Sequence, residues 1–477
     1  MGGLKKEDSG KKSPSVKSKK YIITSAQACA TPHRNFMDGL ERYSKENGSE
    51  IIILPMIGMS AREGIKPKTD DEGNSSGGLA DFFQKYDVEF ERRKLNNNLH
   101  IEQFYVQPQN IDPLTSQLDF AYTSVIFASP KQRMKAISDS NFKMPRLVVT
   151  TGACTLPRYA NPDNSTDGER WRRGSIARKQ HIFGGWVVEI EGDERFHLRN
   201  IRATGEGKFV DLGKKYDGND VSKSELEAIV YGDWHVGYTD PFVRKANYEM
   251  MRNLKPKKII LHDFLDMHSV NHHNRDQLIT GLLREGVDKN FLSLEEEFKT
   301  GREELMKIND AMDGGEIYII PSNHHDFLVK YLNRAEFVKD PYNLRISLKL
   351  ATELGNGNDP IEEGLNMMGK LPSNIIFLRR NQDLKIRGIQ LGAHGDKGPG
   401  GSGGSMNTLR RQFRKSITGH IHSAEVKGDT YRVGTSTPLN LPYTIGSPTD
   451  WTNTNACLYD NGTVQMINII DGKWRAK

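Results

Sequence analysis

Tyr231-Gly232-Asp233-Trp234-His235 closes an apolar run at 226–231, and the chain returns to that arrangement four more times. Leu261-His262-Asp263-Phe264-Leu265-Asp266 follows a run at 258–262, and Pro321-Ser322-Asn323-His324-His325-Asp326 follows one at 316–320. Gly392-Ala393-His394-Gly395 and Thr418-Gly419-His420-Ile421-His422 complete the series. Alternate residues of a strand point the same way, so Asp233 with His235, and His420 with His422, each present two ligands in one direction. Strand ends facing a cleft are where open α/β sheets place their sites. A lone Asp-x-His is weak evidence, and an Asn-His pair after an apolar run can simply cap a helix. Five such clusters in series point to a metal centre. Imidazole and oxygen ligands suit Mn, Fe, Zn or Ni better than Ca or Mg. Two divalent ions about 3.5–4 Å apart clamp a phosphate and activate water. Ten of the 14 histidines lie from His235 onward, which separates this half of the chain from the first.

The order Asp-x-His, Asp-x-x-Asp, Asn-His, His, Gly-His-x-His resembles that of calcineurin-like metallophosphoesterases over residues 226–477. The resemblance implies an α/β fold, the four-layer αββα sandwich, with two sheets face to face and helices outside. It implies Asp233, His235 and His422 on one metal and Asn323, His394 and His420 on the other. Asp263 bridges them as a catalytic ligand, and His324 stands beside the scissile phosphate as the acid. Mn is the foremost cofactor, with Mg, Zn, Fe or Ni as alternatives. Gly434-Thr435-Ser436 resembles the short turn usual after Gly-His-x-His. The chain departs from the pattern twice. His262 stands where the family has Gly, and His325 takes the acidic position, with Asp326 one residue later. The residue that orients His324 is therefore open among Asp326, Asp266 and a residue outside these motifs. Within the family the second half resembles SbcD-type DNA-repair nucleases and the pre-early DNA-degrading proteins of tequintavirus-type phages. That similarity implies a DNase, a homo-oligomer and, for a phage product, the host cytoplasm. No Walker motif is present, so an ATP-driven partner would be a separate protein.

The ester itself must be read from the basic segments. Six glycines in 395–404 lead into a helix-like stretch with Arg410, Arg411, Arg414 and Lys415. Arg172 and Arg173 stand with Arg170, Trp171, Arg178 and Lys179, and Arg379, Arg380, Lys385 and Arg387 form a third group. Arginines interleaved with an aromatic bind phosphates and stack on bases, although a solvated surface helix looks the same in sequence. Together they favour DNA over a small monoester. The alternatives are a phosphomonoesterase or nucleotide hydrolase of the same fold, and a DNA-binding or regulatory protein with a vestigial site.

The rest of the chain sets bounds. Of 477 residues, 27% are charged and 36% hydrophobic, an ordinary globular balance. The apolar runs are too short to cross a bilayer, so no membrane insertion is expected. Cys29, Cys154 and Cys457 lie far apart and build neither a disulfide framework nor a metal site, which suits the cytoplasm. Seven lysines among residues 1–20 mark a disordered basic tail, suited to a polyanion or to solubility. Residues 21–225 are expected to form a separate N-terminal α/β domain. It opens with a strand at 21–26, a helix at 36–47 stopped by Gly48, and a strand at 51–55. Further strands are expected at 102–107, 123–128 and 146–151, and a β-rich stretch at 182–214 with Trp186, Val187, Val188 and Ile190 in the core. Residues 215–224 read as a polar linker. A helical insertion is expected near 270–312, at 276–284 and 294–312, and His268, His272 and His273 read as loop residues beside it. No internal repeat at solenoid spacing is visible.

Overall fold

The computed structural model describes residues 18–56, 79–104, 106–115, 117–139, 145–159, 168–271, 293–441, 444 and 448–476. The strand Lys19–Gln27 pairs in parallel with Glu50–Met56. Between them runs the helix Arg34–Asn47, capped by His33 and stopped at Gly48, whose φ of 61° suits a residue without Cβ. The second half opens in the same manner. Leu226–Val230 leads to the helix Pro241–Leu254, and Lys258–Leu261 returns in parallel. Asp240 caps that helix by accepting from Phe242 N and Val243 N, and Pro241 occupies its first turn.

These strands belong to two large sheets. The first has eleven strands, in the order Ile375–Phe377, Glu316–Ile319, Lys258–Leu261, Leu226–Val230, Thr454–Tyr459, Val464–Asn468, Arg195–Arg202, Gly184–Glu191, Lys19–Gln27, Glu50–Met56, Asp87–Val88. The second has ten, from Lys385–Ile386 at one edge to Arg93–Lys94 at the other. Successive side chains go to opposite faces. Ile23, Val230 and Ile260 therefore meet Ile126, Met134 and Ile417 in the layer between the sheets. Their neighbours Ile22, Ile229 and Ile259 face outward. Ile22 packs under Phe36 and Leu40, and Ile229 and Ile259 pack under Val243, Met250 and Leu305. Each fully buried aliphatic chain contributes about 1.5–3 kcal/mol. The α/β class expected from sequence is what the chain forms.

Residues 21–225 do not stand apart as expected. Arg195–Arg202 pairs with Val464–Asn468 in the first sheet, and Ser129–Ile137 pairs with Glu425–Lys427 in the second. Buried polar groups sew the seam. Asn200 donates to Val464 O and accepts from Met466 N, while Gln465 donates to Asn200 O and Asp211. A strand left unpaired here would strand those backbone groups, and a sequence boundary cannot show which distant strand will pair. The polar stretch 215–224 is no linker either: Lys214–Asp217 and Asp220–Lys223 form a hairpin turning at Gly218, and Phe209–Asp211 adds a third strand. The strand expected at 102–107 lies earlier, at Leu99–Ile101, and the chain leaves the sheet before Pro108. The helix expected at 294–312 is Leu294–Met312, capped by Ser293 with three glutamates in its first turn. The expected helix at 276–284, His272, His273, most of the basic tail and the Trp171 side chain lie outside the described residues. Among the described residues, no helix is long and apolar enough to cross a membrane.

Two predictions concern the strand Arg195–Arg202. Arg199 is buried and holds Asp211, Glu189 and the Tyr43 hydroxyl. Arg199→Met takes the shared guanidinium from two buried carboxylates and should cost about 3–5 kcal/mol in urea unfolding; a loss under 1 kcal/mol would refute the assignment. Burial pushes the His197 imidazole down to about 4, against Glu189 and Glu191. The unfolded chain therefore takes up the proton first. The contribution is complete above about pH 6.5 and declines at up to about 1.4 kcal/mol per pH unit as pH falls toward 4. His197→Asn should flatten that slope in unfolding measured without metal.

Candidate metal centre

Sharp turns at strand ends bring the expected ligands together. Asp263, His235, His420 and His422 all adopt left-handed backbone conformations, with φ of 41°, 45°, 80° and 63°. Such conformations cost about 1 kcal/mol or more each for residues with a side chain, and they concentrate at functional sites. Asp233 is fixed more tightly still. Its N–H donates to Gly434 O, its C=O accepts from Ser436 N, and its Oδ2 accepts from His420 N at 2.7 Å. A Cβ at residue 419 would overlap Oδ1 of Asp233, so the glycine of Gly-His-x-His is a matter of space.

Two groups of ligand atoms share Asp263, and a third joins His235, Asp266 and His324. Asp233, His235, Asp263 and His422 form one, with His422 Nε2 3.2 Å from Asp233 Oδ2 and 3.1 Å from His235 Nε2. Asp263, His394 and His420 form the other, with His394 Nε2 3.0 Å from Asp263 Oδ2 and 3.2 Å from Asn323 Oδ1. Asp263 belongs to both. Asp233 Oδ1 and Asp263 Oδ1 are buried without a hydrogen-bond partner among the described residues. Buried anionic oxygens facing imidazole nitrogens, with lone pairs to spare, fit divalent cations. These clusters can hold metal ions.

Electrostatics agrees with the geometry. Burial raises the Asp233 carboxyl, but His422 and His394 bring it down to about 2. Burial likewise opposes ionisation of Asp263, and His394, His324 and His235 outweigh it, holding the carboxyl well below the usual range. Burial disfavours a cation on His324, yet Asp263 and Asp266 raise it to about 10.

The open question about His324 has an answer here. Its Nδ1 lies 2.9 Å from Asp266 O and 3.2 Å from Asp266 Oδ1, and the same carboxylate stands 2.9 Å from His235 Nδ1. Asp326 is paired instead with Arg380 at 3.0 Å and Lys397 at 2.9 Å. His325 is buried and accepts from Leu265 N at 3.4 Å, tying that helix to the loop after Asp263. His262 is wholly buried beside His394, ring centroids 5.5 Å apart, and burial pushes it down to about 4. His268 joins the loop, with Nδ1 2.9 Å from the Tyr238 hydroxyl.

The basic residues are not gathered there. The helix Gly168–Lys179, with Arg172 and Arg173 exposed, connects Gly152 to Gly184, whose edge of the sheets is opposite the cluster. The helix Met406–Phe413 descends from the cluster, so that Arg414 and Lys415 stand at the far end of the strand Ser416–Thr418. Arg410 and Arg411 lie on its last turn. Spacing also missed two neighbours of the site. Trp451 stands edge-to-face with His422, ring centroids 4.4 Å apart, and the buried carboxylate of Asp396 is held by Arg380 at 2.9 Å beside His394 and His420. Neither belongs to a motif, so no local signal marks them.

Protein A1 of Escherichia phage T5 is 26% identical to the chain over an alignment of 499 residues, covering 96% of this chain and 83% of that protein. No known family profile matches the chain.

Gly419→Ala should push the Asp233 carboxylate out of place and lower Mn affinity at least tenfold by calorimetry, without unfolding the chain. Unchanged affinity would show that Asp233 does not set the site.

Proposed function

We propose that this chain is a metal-dependent phosphodiesterase of the calcineurin-like metallophosphoesterase type, hydrolysing DNA with two divalent cations, Mn foremost. The observation that carries the reading is the meeting of eight side chains from five separated motifs: Asp233, His235, Asp263, Asn323, His324, His394, His420 and His422. The two face-to-face sheets with helices on the outer face of the first support it, as they suit the four-layer sandwich of that family. The phage relative suits a phage enzyme acting in the host cytoplasm. The exposed Arg411, Arg414 and Lys415 and the lysine-rich tail favour a polyanionic substrate. A homo-oligomer and a separate protein partner belong to the same proposal.

When bound, the ions supply positive charge to the phosphoryl oxygens and lower the pKa of water. Asp233, His235, Asp263 and His422 would hold one, and Asp263, Asn323, His394 and His420 would hold the other. Asp266 accepts from Nδ1 of His235 and of His324 and so fixes both rings. With its Nδ1 bound, His324 presents Nε2. Asp263 and Asp266 favour its cation, and it would give that proton to the leaving oxygen as the P–O bond breaks and water's oxygen bonds to phosphorus, the attacking water's proton passing to solvent, from which His324 is reprotonated.

The test is hydrolysis of plasmid, linear duplex, single strand and a chromogenic monoester, with Mn or with chelator. Wild type should cut DNA with Mn alone. Asp233→Asn and His422→Ala should fall to background, and His324→Ala should lose roughly 10²–10⁴-fold. Turnover of the monoester without cutting of DNA would replace the reading with a phosphomonoesterase. Full activity in chelator would end it.

A further inference from the structure

The strand order of each sheet reads the same from its middle outward in both directions. In the first sheet the midpoint is the antiparallel pair Val464–Asn468 and Arg195–Arg202. Outward on one side stand Thr454–Tyr459, Leu226–Val230, Lys258–Leu261 and Glu316–Ile319. On the other stand Gly184–Glu191, Lys19–Gln27, Glu50–Met56 and Asp87–Val88. On both sides the pairings run antiparallel, antiparallel, parallel, parallel. Among the described residues, only Ile375–Phe377 lacks a counterpart. In the second sheet the midpoint is Ser129–Ile137 against Glu425–Lys427, and both sides run antiparallel, parallel, parallel, antiparallel.

Local detail follows the same correspondence. Arg34–Asn47 and Pro241–Leu254 each have 14 residues and each ends at a left-handed residue. Ser436 N donates to Asp233 O and Cys154 N donates to Ser25 O, both at 2.8 Å. The relay from Thr435 N to Thr452 O, and from Thr452 N to His422 O, recurs from Ala153 N to Ile182 O, and from Ile182 N to Pro130 O. General packing preferences favour certain strand orders, but they do not repeat such a relay.

The correspondence sets Ser25 at the position of Asp233, Gln27 at that of His235 and Pro130 at that of His422. The strand matching the one before Asp263 runs on through Pro55 and Met56, without a carboxylate. Among the described residues, every group of side chains able to hold a metal lies in the second half. The antiparallel midpoint puts the equivalent strand ends on the opposite edge of the sheets.

We propose that residues 19–202 are a metal-free copy of the architecture formed by 226–468, built into the same chain as its partner. The chain thus carries one metal centre, and the copy completes both sheets of the half that bears it. The ion count rests on the phosphoesterase reading; the shared sheets do not.

Two measurements on the full-length chain test this. Calorimetry with Mn should find two ions per chain, unchanged in Ser25→Ala and Gln27→Ala and lost in Asp233→Asn with Asp263→Asn. Four ions, or loss of an ion in Gln27→Ala, would overturn the metal-free copy. A protease site inserted between Gly218 and Asn219 should give, after cleavage, a nicked chain that keeps its mass by light scattering and melts in one transition. Separation into two folded pieces, each with its own transition, would overturn the built-in partner. Absence of any Mn binding by wild type would sink the phosphoesterase reading, and the nicked chain would then decide the partnership alone.

Discussion

Asp233 is the point on which the two sheets and the candidate metal centre depend together. Its backbone is bound on both sides by the turn at Gly434 and Ser436, and its carboxylate accepts from the backbone of His420. Its residue thus ties a strand end of the first sheet to two loops of the second. A buried carboxylate is tolerable only with partners. Here they are the His420 N–H, the His422 imidazole and, on the reading proposed, a cation for the remaining oxygen. The glycine at 419 follows from this constraint, since a side chain there would overlap the Asp233 carboxylate, while one at 434 would strike the Thr452 carbonyl.

A second layer of order surrounds it. Asp266 holds two imidazoles whose tasks differ, one a proposed ligand and one a proposed acid. Together with Asp263 it favours the cation on His324, and it also orients His235, so one group takes part in both ligand geometry and proton supply. Glu297 extends this outward by accepting from the backbone of His268 and Ser269, which fixes the loop after Asp266 to the helix Leu294–Met312. The left-handed conformations at four candidate ligand positions add a local penalty that this network offsets.

The relation between the halves explains why the first resisted reading. The motifs that made the second half legible are ligand motifs, and in the matching positions of the first half stand Ser25, Gln27 and Pro130. Once ligands are absent, what persists is strand order, pairing sense and the lengths of a helix and its connections. Individual elements were legible. The helix stopped by Gly48, the strand after it and the helix after Ser293 each carry their own end signals. The domain boundary at 215–224 was misread because a polar hairpin and a polar linker have the same composition.

The sequence by itself determined the α/β class, the ends of the capped helices and the ligand candidates. Alternation, capping and the crowding of His and Asp behind apolar runs are local properties. Only the tertiary structure decided that Asp266 rather than Asp326 serves His324, that Arg172 and Arg173 lie on the other edge, and that both sheets run through the whole chain. Those are questions of which distant strands and side chains meet. Pairing between strands such as Arg195–Arg202 and Val464–Asn468 is settled by burying shared faces and satisfying backbone groups across hundreds of residues, which leaves no mark on either stretch alone.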